Sequence, residues 1–309
     1  MSLTADPGTI SAPSETSVSA RRRHYAEFYG LAPLPADFGV VLGNCQAESL
    51  RTVMDAEGRR FVRVPAVHEM TAEDAERLHE VVRSAHSVVT QPVRDDYHGL
   101  PLGTRQVAAA TDGRVLTLPP VRFGGLHPFQ ASIRIPAFEE SLPIVDYHDV
   151  RTLAAAAGIP VAAVLPPDAV RAIGRSSLEV LRTREALTDV AVSDLFDEVT
   201  ADHVRTVNHP GNAIWLPLGA RVLGVLGLGG GVTDPGRPLL NAVHAPLLSD
   251  VVDAWSLPDR PRDHWIVDGA EIDDAEVRAA HTDWYASHPG LVVAAVGRLT
   301  DLLAVWRDA

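Results

Sequence analysis

Phe38-Gly39-Val40-Val41-Leu42-Gly43-Asn44-Cys45-Gln46 is the stretch on which the fold turns. Its first five residues form a short apolar run with β-branched side chains, the pattern of a strand buried on both faces. Gly43 gives the backbone freedom for a sharp turn. Residues 47–57 then show helical periodicity, with Leu50, Val53 and Met54 on one face and Gly58 as the stop signal. Outward from this unit the alternation continues. Strands are predicted over 61–67, 86–90 and 114–118. A helix opens at Thr71, carries Glu73 and Asp74 in its first turn and runs to about Ser84. Strand–helix–strand alternation predicts an α/β fold with a parallel sheet.

The second half reads differently. Residues 167–203, 213–228 and 291–306 have helical spacing, and Pro167 suits a first helical turn. Pro/Gly-rich joints at 160–167 and 229–238, with a loop at 257–261, are the expected boundaries. The expected organisation is a flexible tail over 1–20, an α/β core over 21–165, and a mainly helical part over 166–309 packed on that core. Arg21-Arg22-Arg23 is expected to open a short helix. The glycine run 227–231 reads as a loop, residues 268–276 as a solvated helix start, and His281 and His288 as a solvent-facing pair.

Composition narrows the function. The 309 residues hold 27 basic and 40 acidic side chains, a net charge of −13, with 46% hydrophobic and 22% charged residues. Those are globular proportions, and the acidic balance argues against nucleic acid or an anionic membrane as partner. The chain has no lysine. Schiff-base chemistry and a P-loop lysine are excluded, and a phosphorylated ligand must be met by arginine or helix N-termini. One cysteine excludes an intramolecular disulfide and a multi-cysteine zinc site. No metal is expected, because His68-Glu69 lacks the second histidine of H-E-x-x-H and His148-Asp149 are adjacent, a poor geometry for two ligands on one ion. No G-x-G-x-x-G follows a strand. Residues 1–20 lack the apolar run of a secretory signal. The most apolar stretch, 213–232, contains Pro217, Arg221 and six glycines, which fits a buried helix ending in a loop rather than a span. The expectation is a cytoplasmic protein with no integral membrane segment.

Cys45 stands between strand and helix, where ligands of open α/β sheets bind. A thiol at a helix N-terminus tends toward thiolate, its pKa falling from about 8.5 toward 7. Asn44 can cap the helix or point into the cleft, and the N–H groups of Cys45 and Gln46 are candidate oxyanion donors. The alternative is a buried structural thiol. Other polar clusters follow the same strand-end pattern: Gln91 with Arg94 and Tyr97, then Arg122 with Phe123. Tyr147-His148-Asp149 and Asn208-His209 complete the set. His148 and His209 are the candidate bases, with Asp149 or Asp146 to orient one of them. For each histidine a cap, a loop hydrogen bond or plain surface is the competing reading.

Gly43-Asn44-Cys45-Gln46, Gln91, Pro120-Val121-Arg122-Phe123, Tyr147-His148-Asp149 and Asn208-His209-Pro210 occur in this order. Together they resemble the WcbI-type polysaccharide biosynthesis acetyltransferase family over residues 38–228. The resemblance implies a three-layer core likened to SGNH hydrolases and flavodoxin-like folds. It implies coenzyme A (acetyl-CoA) as cosubstrate, and acetyl transfer to a carbohydrate hydroxyl in surface polysaccharide, capsule or glycoconjugate biosynthesis. Cys45 then takes the nucleophile position, and Asn44, Gln46 and Gln91 are polar site residues. His148 or His209 is the base, while Gly43, Arg94, Tyr97, Arg122, Phe123, Tyr147, Asp149 and Asn208 are ligand-contact candidates. Two departures stand out: the SGNH serine is a cysteine, and no clear C-terminal Asp-x-x-His motif follows. A carbohydrate esterase using water, or a non-catalytic coenzyme A- or glycan-binding protein, are the competing functions. The expected partner is a small-molecule or glycan substrate.

Overall fold

The computed structural model describes residues 15–307 apart from 134, 136, 137 and 139. The first half contains α1 (Glu15–His24), β1 (Phe38–Leu42), α2 (Cys45–Met54), β2 (Arg60–Val62), α3 (Ala72–Arg83), β3 (Ser87–Thr90), α4 (Thr104–Ala108) and β4 (Arg114–Thr117). The four strands form one parallel sheet in the order β2-β1-β3-β4. Successive side chains of a strand point to opposite faces, and both faces here are apolar. Val41, Phe61, Val89 and Leu116 share one core with Leu50, Val53 and Met54 of α2. Val40, Leu42, Val62 and Val88 share the other with Leu78, Val81 and Val82 of α3. The expected three-layer α/β core is therefore present. A capping box starts α3: Thr71 Oγ1 accepts from Asp74 N at 3.3 Å, and Asp74 Oδ2 accepts from Thr71 N at 2.9 Å.

Two local expectations differ. Helix α1 already runs from Glu15 and ends at His24, so Arg21-Arg22-Arg23 lie in its last turn rather than opening it; cations are favourable at that negative dipole end. The rest of the expected tail lies outside the described residues. Strand β2 stops at Val62 instead of Val67. Pro65 has no N–H to continue a ladder, and Val67 N donates to Gly43 O at 2.9 Å, drawing the chain across the end of β1.

The second half contains β5 (Gln130–Ala131), β6 (His148–Asp149), α5 (Val150–Ala156), α6 (Pro167–Glu185), β7 (Val204–Thr206), β8 (His209–Pro210) and α7 (Asn212–Leu226). It continues with β9 (Val243–His244), α8 (Ser249–Trp255), β10 (His264–Val267), β11 (Ala270–Asp273), α9 (Asp274–Ser287), α10 (Pro289–Arg298) and α11 (Thr300–Arg307). Helix α7 lies against α2. Gly219 makes that approach possible: a Cβ there would meet Val53 Cγ2 at 2.7 Å. The helix ends at Gly227 in the left-handed region, φ +73°. None of the described helices is long and apolar enough to cross a membrane.

Several elements of this half depart from the sequence reading. Helix α6 ends at Glu185 rather than near His203, because the Glu185 carboxylate turns back to accept the N–H groups of Val192 and Ser193. The last helix is two, α10 and α11, broken at Leu299. A small antiparallel sheet, order β11-β10-β9, occupies part of the stretch read as a solvated helix start. Its hairpin turns on Asp268 and Gly269, φ 50° and 84°, the Asp-Gly pair that suits a tight turn. His281 is fully buried and bonds Pro143 O at 3.1 Å, and His288 stacks on Trp284 at 4.0 Å. They are not a solvent-facing pair.

Candidate active site

The carboxyl ends of β1, β3 and β4 bring their following loops to one edge, as the parallel order requires. Cys45 is the first residue of α2, and its side chain is partly exposed. Asn44 is the N-cap: its Oδ1 accepts from Gln46 N at 2.9 Å. That cap commits the Gln46 N–H, so it is not an oxyanion donor in this arrangement.

Gln46 and Gln91 fix the loops around the thiol. Gln91 Oε1 accepts from Asn44 N at 2.9 Å, and Gln91 Nε2 donates to Gln46 Oε1 at 3.1 Å. Gln46 Oε1 also accepts from Val121 N at 2.9 Å, while its Nε2 donates to Val121 O at 2.7 Å and Asn208 O at 2.8 Å. Both amides are buried, and that of Gln46 is fully spent inside the protein. They hold the loops around Cys45 in place. Gly43 is required by the same packing: it has no positive φ, and a Cβ would lie 2.5 Å from Gln91 Oε1.

The Val121 and Asn208 clamps bring a second group of side chains beside Cys45. Tyr147 donates to Asn208 Oδ1 at 2.9 Å and accepts from Thr206 Oγ1 at 2.9 Å. Its oxygen lies 3.3 Å from His209 Nε2 and 3.5 Å from Nδ1, so the ring edge between the nitrogens faces the hydroxyl. Burial holds the Tyr147 hydroxyl up at about 12; the Cys45 thiol and Asp146 add to this and Arg122 opposes it. Tyr147 therefore stays protonated at neutral pH, with Cys45 and Arg122 in its electrostatic surroundings. Burial, then Arg205 and His244, push His209 down to about 4. His209 is a neutral imidazole at pH 7, able to accept a proton.

His148 is separate from this group. It is the first residue of β6, after Tyr147, and packs against α9, its Nδ1 2.6 Å from Tyr285 Oη and its ring stacked on that tyrosine at 5.8 Å. Burial and the adjacent His281 push it down to about 4. Asp149 orients no histidine: it is the N-cap of α5 and pairs with Arg151 at 2.6 Å. Phe123 is fully buried against Phe196 and Trp255, a core residue. Arg94 sits over the Tyr97 ring at 5.9 Å, and Tyr97 packs on the core beneath α3, so neither joins the Tyr147–His209 group through a contact. Among the described residues no cluster of three His, Cys, Asp or Glu side chains is placed to hold a metal ion.

Arg122, next to the clamped Val121, lines a cavity of about 410 Å³. Its walls include Ile133, Ile173, Val180 and Leu302, and Arg184 and Arg298 also line it. Neither of these arginines had a sequence signal, because α6 and α10 are far from Arg122 along the chain. Thr206 was missed for the same reason: a lone threonine carries no motif.

The family profile described as polysaccharide biosynthesis enzyme WcbI matches residues 38–231. The chain belongs to the WcbI family of polysaccharide biosynthesis enzymes. A solved WcbI structure matches with a TM-score of 0.73 at 18% identity, over 88% of this chain and 99% of that one. It is described as a novel polysaccharide biosynthesis enzyme, in a native form without a disulfide bond between coenzyme A and one of its cysteines. At that identity the likeness to WcbI speaks for the fold, and it extends past the matched family region into the C-terminal helices. Among curated proteins none matches significantly.

Proposed function

We propose that this WcbI-family chain transfers an acyl group, acetyl in the simplest case, from coenzyme A to a carbohydrate hydroxyl. The observation that carries the reading is the cavity lined by Arg122. Its apolar wall suits a pantetheine arm, and Arg122, Arg184 and Arg298 suit the phosphates of a chain that has no lysine. The cysteine and coenzyme A named for the related structure agree with a thiol end lying near Cys45.

Cys45 Sγ attacks the thioester carbonyl carbon. The new S–C bond forms, the bond to the coenzyme A sulfur breaks, and that sulfur leaves as a thiolate that takes up a proton. The sugar hydroxyl then attacks the acyl-Cys45 carbonyl, its oxygen forming the ester as the Cys45 S–C bond breaks. Neutral His209 accepts the hydroxyl proton. Tyr147, held protonated and bonded to Asn208 Oδ1, sets the surroundings of His209. In a direct route His209 does the same work and Cys45 only shapes the site.

Calorimetric titration of the full chain with coenzyme A tests the reading. Saturable binding, weakened at least tenfold in Arg122→Ala and Arg184→Ala, supports it. No saturable binding overturns it and favours an esterase that uses water.

A further inference from the structure

Beside the β7–β8 hairpin that carries His209 lies a second cavity of about 320 Å³, with a different chemistry. Arg205, Arg260, Arg262 and His244 line it, with Asp202 and Asp259 as its carboxylates. It is not a salt-bridged patch. Arg205 Nη1 is buried with no hydrogen-bond partner. Arg262 donates to carbonyls, Ala245 O at 2.6 Å and His264 O at 3.3 Å, and Glu271 acts on it only through space. Burial disfavours the charged form of both guanidiniums. A buried guanidinium N–H without a partner is costly, so the place suits an added negative group.

Its position is as telling as its charge. Arg205 and His209 belong to the two strands of one hairpin, in which Thr206 faces His209. Ala245 N donates to Arg205 O at 2.8 Å and thereby sets His244 beside Arg205. Arg205 and His244 both lie near enough to act on the His209 ring. An anion held by Arg205 would therefore lie near His209.

We propose that this cavity is the acceptor subsite and takes an anionic sugar, its phosphate or carboxylate held by Arg205, Arg262 and Arg260 while a hydroxyl reaches His209. The assignment rests on the acyl-transfer reading of the Cys45–His209 site and adds the chemical class of the acceptor.

The test is calorimetry on the full chain saturated with coenzyme A, titrated in turn with inorganic phosphate, glucose 1-phosphate and glucose. Both phosphates are expected to bind without displacing coenzyme A, glucose 1-phosphate the tighter, and glucose not at all. Arg205→Gln and Arg260→Gln should each weaken phosphate binding at least tenfold and leave coenzyme A affinity unchanged. Arg260 is exposed, so its loss cannot be ascribed to unfolding, and Arg205→Lys should recover part of the binding. Three results overturn the proposal: no saturable phosphate binding, binding indifferent to the arginines, or phosphate competing with coenzyme A, which would make this the coenzyme's own phosphate site. Binding of inorganic phosphate with glucose 1-phosphate excluded overturns the acceptor assignment. Failure of the acyl-transfer reading appears separately, as an unaltered protein that does not bind coenzyme A; the phosphate titrations are then run without it.

Discussion

Gln46 and Gln91 bond to each other, side chain to side chain at 3.1 Å, beneath the loop that carries Cys45. Gln46 alone ties α2 to the chain after β4 and to the chain after β7. Leucine has a similar volume but no polar atoms. Gln46→Leu would strand Val121 N, Val121 O, Asn208 O and Gln91 Nε2, and unsatisfied buried groups cost about 1–3 kcal/mol each. The expected loss is at least about 3 kcal/mol, read as a lower denaturant midpoint with little change in slope. An unchanged midpoint would mean that these loops hold their places without the clamp.

The two candidate histidines should separate in kinetics. His209→Ala removes the base and is expected to lower turnover about 10²–10⁴-fold. His148→Ala breaks the bond to Tyr285 and opens a hole between β6 and α9. It should lower thermal stability and keep turnover within a few-fold once the protein is folded. Equal losses of turnover from both would put His148 back in the chemistry.

Much of this was legible beforehand, for identifiable reasons. The apolar strands, the Thr71 cap and the Cys45 helix start are local signals, and each is present, though β2 stops short at Val62. The Tyr147-His148 pair was half legible. The motif marks both residues, but their partners, Asn208 for Tyr147 and Tyr285 for His148, come from distant parts of the chain and decide which one joins His209. Phe123 looked like a ligand contact because it follows Arg122, yet neighbours in an extended chain point apart. The Asp268-Gly269 hairpin had a usable signal that the surrounding acidic residues obscured. Arg184, Arg205, Arg262 and Arg298 had none. They become site candidates only through contacts between distant parts of the chain.

Acid should destabilise the protein before its carboxylates titrate. His127, His148 and His209 are each held near 4, with burial the main cause, against an ordinary value near 6.5. Between pH 4 and 6.5 the unfolded chain binds protons that the folded chain refuses, so stability rises with pH across that window. The contribution is whole above 6.5 and is lost as pH falls toward 4. Each fully buried histidine contributes up to about 3 kcal/mol, and the half-buried His209 less. Urea midpoints at pH 7 and pH 5 check this. The midpoint is expected to fall markedly at pH 5, and by less in His148→Gln. Equal midpoints at the two pH values would place these rings in better contact with water than their burial implies.

Cys45 decides between the two routes of transfer. On the covalent route the acyl group rests on Sγ, so incubation with acetyl-coenzyme A and no acceptor should raise the intact mass by one acetyl group, and peptide mapping should place it on the segment containing Cys45. Initial rates should follow ping-pong kinetics. Cys45→Ala should lose turnover altogether. Cys45→Ser should lose most of it, because a hydroxyl beside a base as weak as His209 is far harder to activate than a thiol at a helix N-terminus. Coenzyme A binding should survive both changes, since the arginines and the apolar wall are untouched. If no acyl group is found on Cys45 and Cys45→Ala keeps most of its turnover, the transfer is direct. His209 then takes the sugar proton while the thioester is still intact, and the cysteine serves only to shape the end of α2.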